Sequence, residues 1–389
     1  MIASRDRILT THVGSLPRNE TLSDLLIKRE AGEAYDQKVF DAEMAKALRH
    51  VVAKQKEAGI DIGNDGEQQR VGFQTYVPQR MTGFAGASKR RRGREFDEFP
   101  ELVKMLLMRF PHQSKQQNAP EAQAEIHYTD TGPINAEIKL FKDIVAETKA
   151  FPESFMTAAS PGIISTTMYN AFYDSHEAYM MALAREMSKE YRAIADAGLV
   201  LQIDAPDLAM DRVMFHRDLT DNEFVGACER HVAAINAGIE GIPRDRVRLH
   251  VCWGNWEGPH LYDIALEKIL PALYQCNAGA LSIEFANPRH QHEFAAFKTH
   301  KLPDHMILMP GVVETTSNFI EHPQTVARRI EEAVAAVGDR ERVVASTDCG
   351  FGTFTGREWV IEPAVWLKLQ SLRQGADIAS ARLWGRAAA

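Results

Sequence analysis

His250, Cys252, Glu284 and Cys349 carry metal-ligand chemistry, and each lies at or near the end of a short aliphatic run: Val247 to Cys252 (VRLHVC), Ala280 to Glu284 (ALSIE) and Arg342 to Cys349 (RVVASTDC). Imidazole, thiolate and carboxylate are zinc ligands that arrange as a tetrahedron, so groups delivered from three strand ends can converge on one ion. Structural zinc usually rests on close cysteine pairs in a small loop-rich module. Here the ligands are far apart in sequence and need a preformed scaffold to meet, which argues for a catalytic centre. His250 and Cys252, two apart on a strand, share a face. A core histidine beside a buried free cysteine is the plain alternative for that tripeptide taken alone.

The elements that must position them can be read from periodicity. Eight short apolar runs lie near Ile8 to Val13, Ile60 to Gly63, Ser154 to Thr157, Leu199 to Ile203, Val247 to Val251, Ala280 to Ile283, Met306 to Met309 and Val343 to Ser346. Amphipathic helical patterns fall between and after them at Ala42 to Ala58, His176 to Ala197, Asp221 to Gly238, Tyr262 to Tyr274, Pro323 to Val337 and Pro363 to Gly375. Strands alternating with helices imply parallel βα units, and eight of them imply a closed (β/α)8 TIM barrel. A doubly wound open sheet is the rival, but no G-x-G-x-x-G follows the first strand and there is no P-loop. The whole chain, 1–389, reads as one barrel domain with an inserted segment after the second strand, approximately 76–135. A barrel places its chemistry at the carboxyl ends of its strands. Thr10 to Arg18, Asn64 to Gln68 and Asp204 to Asp207 occupy such positions, as do the four metal-ligand candidates.

With 389 residues the chain can bury a large core, and its four cysteines are widely spaced. No secretory leader and no run of about 20 apolar residues is evident, so a soluble cytoplasmic protein with reduced thiols is expected. A formal net charge of -8 disfavours nucleic acid or an anionic membrane as partner. Against this background stands the basic cluster Lys89-Arg90-Arg91-Arg92-Gly93-Arg94, inside a polar segment from Thr82 to Asn118. It reads either as a solvated loop or as a clamp for an anionic co-substrate, since arginine forks match phosphate, sulfonate and carboxylate groups. His290 and His292 read as solvated helix caps. Trp253, Trp256 and the stretch Met168 to Tyr173 are candidates for lining a donor site.

Six motifs occur in an order that resembles the carboxy-terminal catalytic half of the cobalamin-independent methionine synthases. They are T-x-V-G-S-L-P-R at Thr11 to Arg18, D-G-E-Q at Asp65 to Gln68, Q-I-D-x-P at Gln202 to Pro206, H-V-C at His250 to Cys252, I-E at Ile283 to Glu284 and D-C-G at Asp348 to Gly350. The resemblance implies a barrel with Zn2+ on His250, Cys252, Glu284 and Cys349. It also implies an amino-acid substrate held between the turn Val13, Gly14, Ser15 and the acids Glu67 and Asp204. A glycine turn lets backbone donors approach a carboxylate, and two acids at strand ends can fix an ammonium group.

The activity so implied is transfer of a methyl group to the thiol of homocysteine, forming methionine. A free thiol has a pKa near ~8.5 and a coordinated one is deprotonated, so the ion supplies a nucleophile, with Glu284 the ligand to be displaced. After the seventh strand the family has a histidine that protonates the departing folate nitrogen. The matching stretch here, Gly311 to Ser317, has Thr316 there, which leaves Glu314 or His322 as the acid. The family's full-length members carry a second, amino-terminal barrel; this sequence accounts for one. The donor is methyltetrahydrofolate, a methylated corrinoid protein, a small methylated compound or an epoxide. Two other readings stand beside this one: a relative of the epoxyalkane:coenzyme M transferases, and a non-catalytic barrel that keeps zinc for stability.

Overall fold

A computed structural model describes residues 1–111 and 119–385. Eight parallel strands form the barrel: β1 (Leu9–Thr10), β2 (Ile62–Gly63), β5 (Glu153–Ala159), β6 (Val200–Asp204), β7 (Val247–Val251), β8 (Ala280–Glu284), β9 (Ile307–Val313) and β10 (Val344–Thr347). They pair in the order β1-β10-β9-β8-β7-β6-β5-β2, and a parallel bridge from Thr11 to Ile62 closes the ring. The eight apolar runs of the sequence are these eight strands. β1 is shorter than its run because Thr11 keeps only the closing bridge and His12 and Val13 leave the ladder to enter the turn at Gly14, whose φ of 146° is glycine territory.

Helices wrap the ring where the 3.6-residue stripes place them. Among them α7 (His176–Asp196), α8 (Asp221–Gly238) and α11 (Pro323–Val337) start on Ser175, Thr220 and His322, whose side chains accept a backbone N–H of the first turn. Two start earlier or end later than their stripes: α2 (Gln37–Glu57), capped by Asp36, and α12 (Glu362–Leu383). A third, α9 (Leu266–Leu273), is shorter than its stripe. A further barrel helix, α5 (Gly132–Thr148), buries Ile134, Ile138, Phe141 and Ile144 and was absent from the expected set. No helix among the described residues is long and apolar enough to cross a membrane.

Between β2 and α5 lies the inserted polar segment, of which residues 112–118 fall outside the described residues. It is not merely a loop. An antiparallel hairpin, β3 (Met81–Ala85) with β4 (Glu121–Tyr128), encloses two short helices, α3 (Arg94–Glu98) and α4 (Pro100–Arg109). Ala122, Ile126 and Tyr128 of β4 face inward with the alternation of a half-buried strand.

The barrel lumen is apolar at its lower end, where Ile62, Phe155, Val200, Ala280, Met309 and Val344 pack together. Above this layer it holds a fully buried arginine, Arg248. Its guanidinium lies 3.7 Å from the centroid of the Phe155 ring and donates to Gln202 Oε1 (2.6 Å), Thr11 Oγ1 (3.1 Å) and the His12 carbonyl (2.6 Å). Burial pushes its pKa down to about 9. Strand residues at the upper rim rest on this plug.

Candidate metal centre and substrate cavity

At the carboxyl end of β7, period-two geometry sends His250 and Cys252 to the same side, and the turn after β10 brings Cys349 against them. The Cys349 sulfur lies 3.8 Å from His250 Nε2 and 3.9 Å from the Cys252 sulfur, and all three residues are buried. A tetrahedron with zinc–sulfur bonds of about 2.3 Å has edges of about 3.8 Å, so the spacing suits three ligands of one ion. His250 Nδ1 is buried without a hydrogen-bond partner. The Cys349 thiol and the His250 imidazole both hydrogen-bond to Cys252 and hold its pKa well below the usual thiol range. That is the ionisation a metal ligand requires.

Glu284 stands beside this trio but outside its common spacing. Its Oε1 accepts the Trp253 backbone N–H at 3.0 Å and faces His290 Nε2 at 3.9 Å. His290 is therefore no solvated cap. It is buried, stacks on Trp253 at 3.9 Å between ring centroids, and sits among Asp263, Glu293 and Glu284. Burial alone would lower its pKa, but those carboxylates raise it to about 10. The turn that follows Glu284 is tied to the neighbour of Cys349 by Asp348, whose carboxylate accepts the backbone N–H groups of Phe285 (2.9 Å), Ala286 (2.8 Å) and Asn287 (2.7 Å).

The trio forms part of the wall of a cavity of about 640 Å3, which is also lined by Val13, Ser15, Glu67 and Asp204. Gly14 packs behind this wall: a Cβ there would fall 2.8 Å from Thr157 Cγ2 and 2.9 Å from Glu67 Oε1. The Val13 N–H is used by Thr347 Oγ1 at 3.3 Å, and its carbonyl accepts from Gln202 Nε2, which also donates to Asp204 Oδ1 at 2.6 Å. Arg248 thus fixes Gln202, and Gln202 fixes both sides of the cavity floor. Glu67 has a left-handed φ of 53° and accepts from Thr157 Oγ1 at 2.9 Å, while its Oε2 is buried with no partner. Burial, then repulsion from Glu67, pushes the Asp204 carboxyl up to about 7. Two desolvated acids facing a cavity are a ready site for a cation.

The remaining candidates are sorted by position. Glu314 does not reach the cavity: its oxygens accept from the N–H and hydroxyl of Thr316 and of Ser317, so it braces the turn after β9. His322 caps α11 through Nδ1. Trp253 is buried core, donating to the Ile264 carbonyl, whereas Trp256 lines the cavity. Met168 to Tyr173 lie off it. Lys89 to Gly93 line it, and Arg94 turns away to Glu98 and the Tyr262 ring. Arg248 carried no signal of its own in the sequence, and Asp348 was marked only as a member of the D-C-G motif, because their partners are backbone groups and side chains met only in the folded barrel.

The fold and this cavity define a barrel enzyme family, and the match to it is direct. The family model for the cobalamin-independent synthase catalytic domain matches residues 8–91 and 123–368, and the chain belongs to that family. A methionine synthase of Sulfolobus acidocaldarius is 24% identical over 345 residues, covering 88% of this chain and 85% of that protein. The 2-hydroxypropyl-CoM lyase of Xanthobacter autotrophicus is also 24% identical, over 415 residues covering 97% and 96% of the two chains. The structure of a B12-independent methionine synthase from Shewanella sp. W3-18-1, in complex with selenomethionine, superposes with a TM-score of 0.72 at 20% identity, covering 97% of this chain and 99% of that one.

Proposed function

We propose that this chain is a zinc-dependent thiol S-methyltransferase that acts on homocysteine. The observation that carries the reading is one cavity uniting a metal-competent trio, His250, Cys252 and Cys349, with the paired acids Glu67 and Asp204. When bound there, with Glu284 as the adjacent carboxylate, zinc supplies an ionised, electron-rich substrate thiol at neutral pH. The protein's own groups do the rest. Glu67 and Asp204 hold the substrate ammonium, Ser15 in the glycine turn faces the carboxylate, and Gln202 keeps these two sides in register. Burial of the whole wall excludes water, which would compete for the alkyl group.

A second reading is supported by the arginines on the same cavity: a coenzyme M alkyltransferase, in which a sulfonate replaces the amino-acid head. Zinc-loaded protein incubated with homocysteine or with coenzyme M, and examined by zinc X-ray absorption, separates the two. The expected result is two sulfur ligands at rest and a third with homocysteine, but not with coenzyme M; the reverse selects the second reading, and no added sulfur with either removes both. Cys252→Ser and Cys349→Ser are each expected to lose bound zinc, and undiminished zinc in one of them takes that residue out of the site.

A further inference from the structure

A second set of metal-ligand side chains lies across Glu284 from the thiolate trio, and the transfer reading makes no use of it. The loop that joins β7 to α9 carries His260 and Asp263, and the segment after β8 carries His290. Their side chains are only 2%, 4% and 3% exposed, and one ligand atom from each lies within 4.8 Å of the others. Asp263 Oδ2 stands between the two imidazoles, 2.8 Å from His260 Nδ1 and 3.0 Å from His290 Nε2. Glu284 Oε1 is 3.9 Å from the same His290 nitrogen, so one carboxylate flanks both this set and the trio.

Three observations separate this set from an ordinary hydrogen-bonded core cluster. Each imidazole has its other nitrogen anchored on an acceptor outside the trio of side chains: His260 Nε2 on the Trp256 carbonyl at 3.1 Å, and His290 Nδ1 on Glu293 Oε1 at 3.4 Å. Metal-ligating histidines are oriented in this way, one nitrogen donating outward and the other turned to the ion. Asp263 Oδ1 is buried with no hydrogen-bond partner, so contacts through Oδ2 alone leave half of the carboxylate uncompensated. The spacing is also that of an octahedron. With metal–nitrogen bonds of about 2.1 Å, neighbouring donors are about 3.0 Å apart and imidazoles on opposite corners have ring centroids about 6.5 Å apart. The His260 and His290 centroids are 6.4 Å apart, with Asp263 Oδ2 at neighbour spacing from both nitrogens. His260 holds a left-handed φ of 51°, a conformation that a non-glycine residue keeps only where its surroundings impose it.

We infer that His260, Asp263 and His290 form a second metal site, for one six-coordinate divalent first-row ion, with Glu284 in reach as a further ligand. Imidazole and carboxylate donors suit Fe2+, Co2+, Mn2+ or Zn2+, whereas the sulfur-rich trio takes the first equivalent of zinc. The ion enters through the loop from Cys252 to Ala265, which has neither helix nor strand and exposes Glu257 and Leu261. The site stands independently of the thiol-transfer reading.

Protein carrying one equivalent of zinc is titrated with Co2+ under equilibrium dialysis, and both metals are counted. The expected result is one cobalt per chain with weak visible d–d absorption, no thiolate-to-cobalt charge-transfer band and no zinc released. Proton NMR of this species should show two hyperfine-shifted, exchangeable imidazole N–H signals, from His260 Nε2 and His290 Nδ1. His260→Gln and Asp263→Asn should each lose the cobalt and keep the zinc. No bound cobalt overturns the site, and so does cobalt that displaces zinc and brings a charge-transfer band. Cobalt bound undiminished by either variant is an adventitious ion only, and overturns it too. The NMR count needs no substitution, so it decides the matter even where a variant fails to fold and loses zinc as well: absence of the two signals from the wild type overturns the site. Each of these results leaves the sulfur count with homocysteine untouched.

Discussion

Substituting Asp348 by asparagine should damage both stability and zinc binding, in a ratio that the geometry specifies. One carboxylate oxygen accepts from Phe285 and Ala286, the other from Asn287, so the side chain straps the end of β8 to the residue preceding Cys349. Asparagine can keep its oxygen toward the first pair, but its amide then points a donor at the Asn287 N–H. A buried donor left unpaired costs about 1–3 kcal/mol, and because burial already disfavours the ionised carboxylate no further charge-assisted gain is lost, so the expected loss is about 1–3 kcal/mol. Glu284 sits one residue before the first strapped amide, and loosening a supporting contact of this kind typically costs about 10- to 100-fold in metal affinity. The measurements are urea unfolding and zinc competition against a chelator at pH 8, above the value of about 7 to which burial raises the Asp348 carboxyl, so that the wild-type side chain is ionised. Unfolding within about 0.5 kcal/mol of wild type would refute the strap. Lower stability with unchanged zinc affinity would refute its role in placing the ligands.

Three further outcomes are expected. Gly14→Ala forces a side chain into a left-handed backbone and against Glu67, so homocysteine should bind about 5- to 100-fold more weakly by calorimetry while zinc content stays at wild-type level. Asp204→Asn should stabilise the protein: the folded-state pKa of this acid is raised to about 7, so its contribution is intact below the unfolded value near ~3.9 and is lost as pH rises through 7. The gain in melting temperature must therefore be larger at pH 8 than at pH 5, and a gain confined to acid pH would contradict the assignment. Chelation of zinc should leave the far-ultraviolet circular dichroism unchanged and activity abolished, because the core clusters hold the barrel without it; cooperative unfolding on chelation would instead favour the reading of a zinc-stabilised, non-catalytic barrel.

The barrel was legible because its signals are local. A parallel strand buried on both faces reads as a short apolar run, and a helix packed on a barrel reads as a 3.6-residue stripe, so all eight strands and six of the helices are visible one element at a time. The hairpin and α5 carried the same kinds of signal, Ala122, Ile126 and Tyr128 at period two and Ile134, Ile138, Phe141 and Ile144 at helical spacing. They were masked by the polar run beside them. Residue chemistry likewise marked His250, Cys252 and Cys349, whose ligand atoms the fold brings within 4.8 Å of one another, and marked Glu314, which it does not bring to the site.

By itself, then, the sequence determined which groups are available and on which strand end each stands, since both follow from side-chain type and from periods set by backbone geometry. Tertiary structure alone decided what those groups face. Arg248 became a plug under the cavity floor, His290 a buried partner of Glu284, and Lys89 to Gly93 part of the cavity wall. Most of the contacts behind these roles join residues tens to hundreds of positions apart, and burial gives such contacts their strength by removing the water that would otherwise compete for every charge and hydrogen bond.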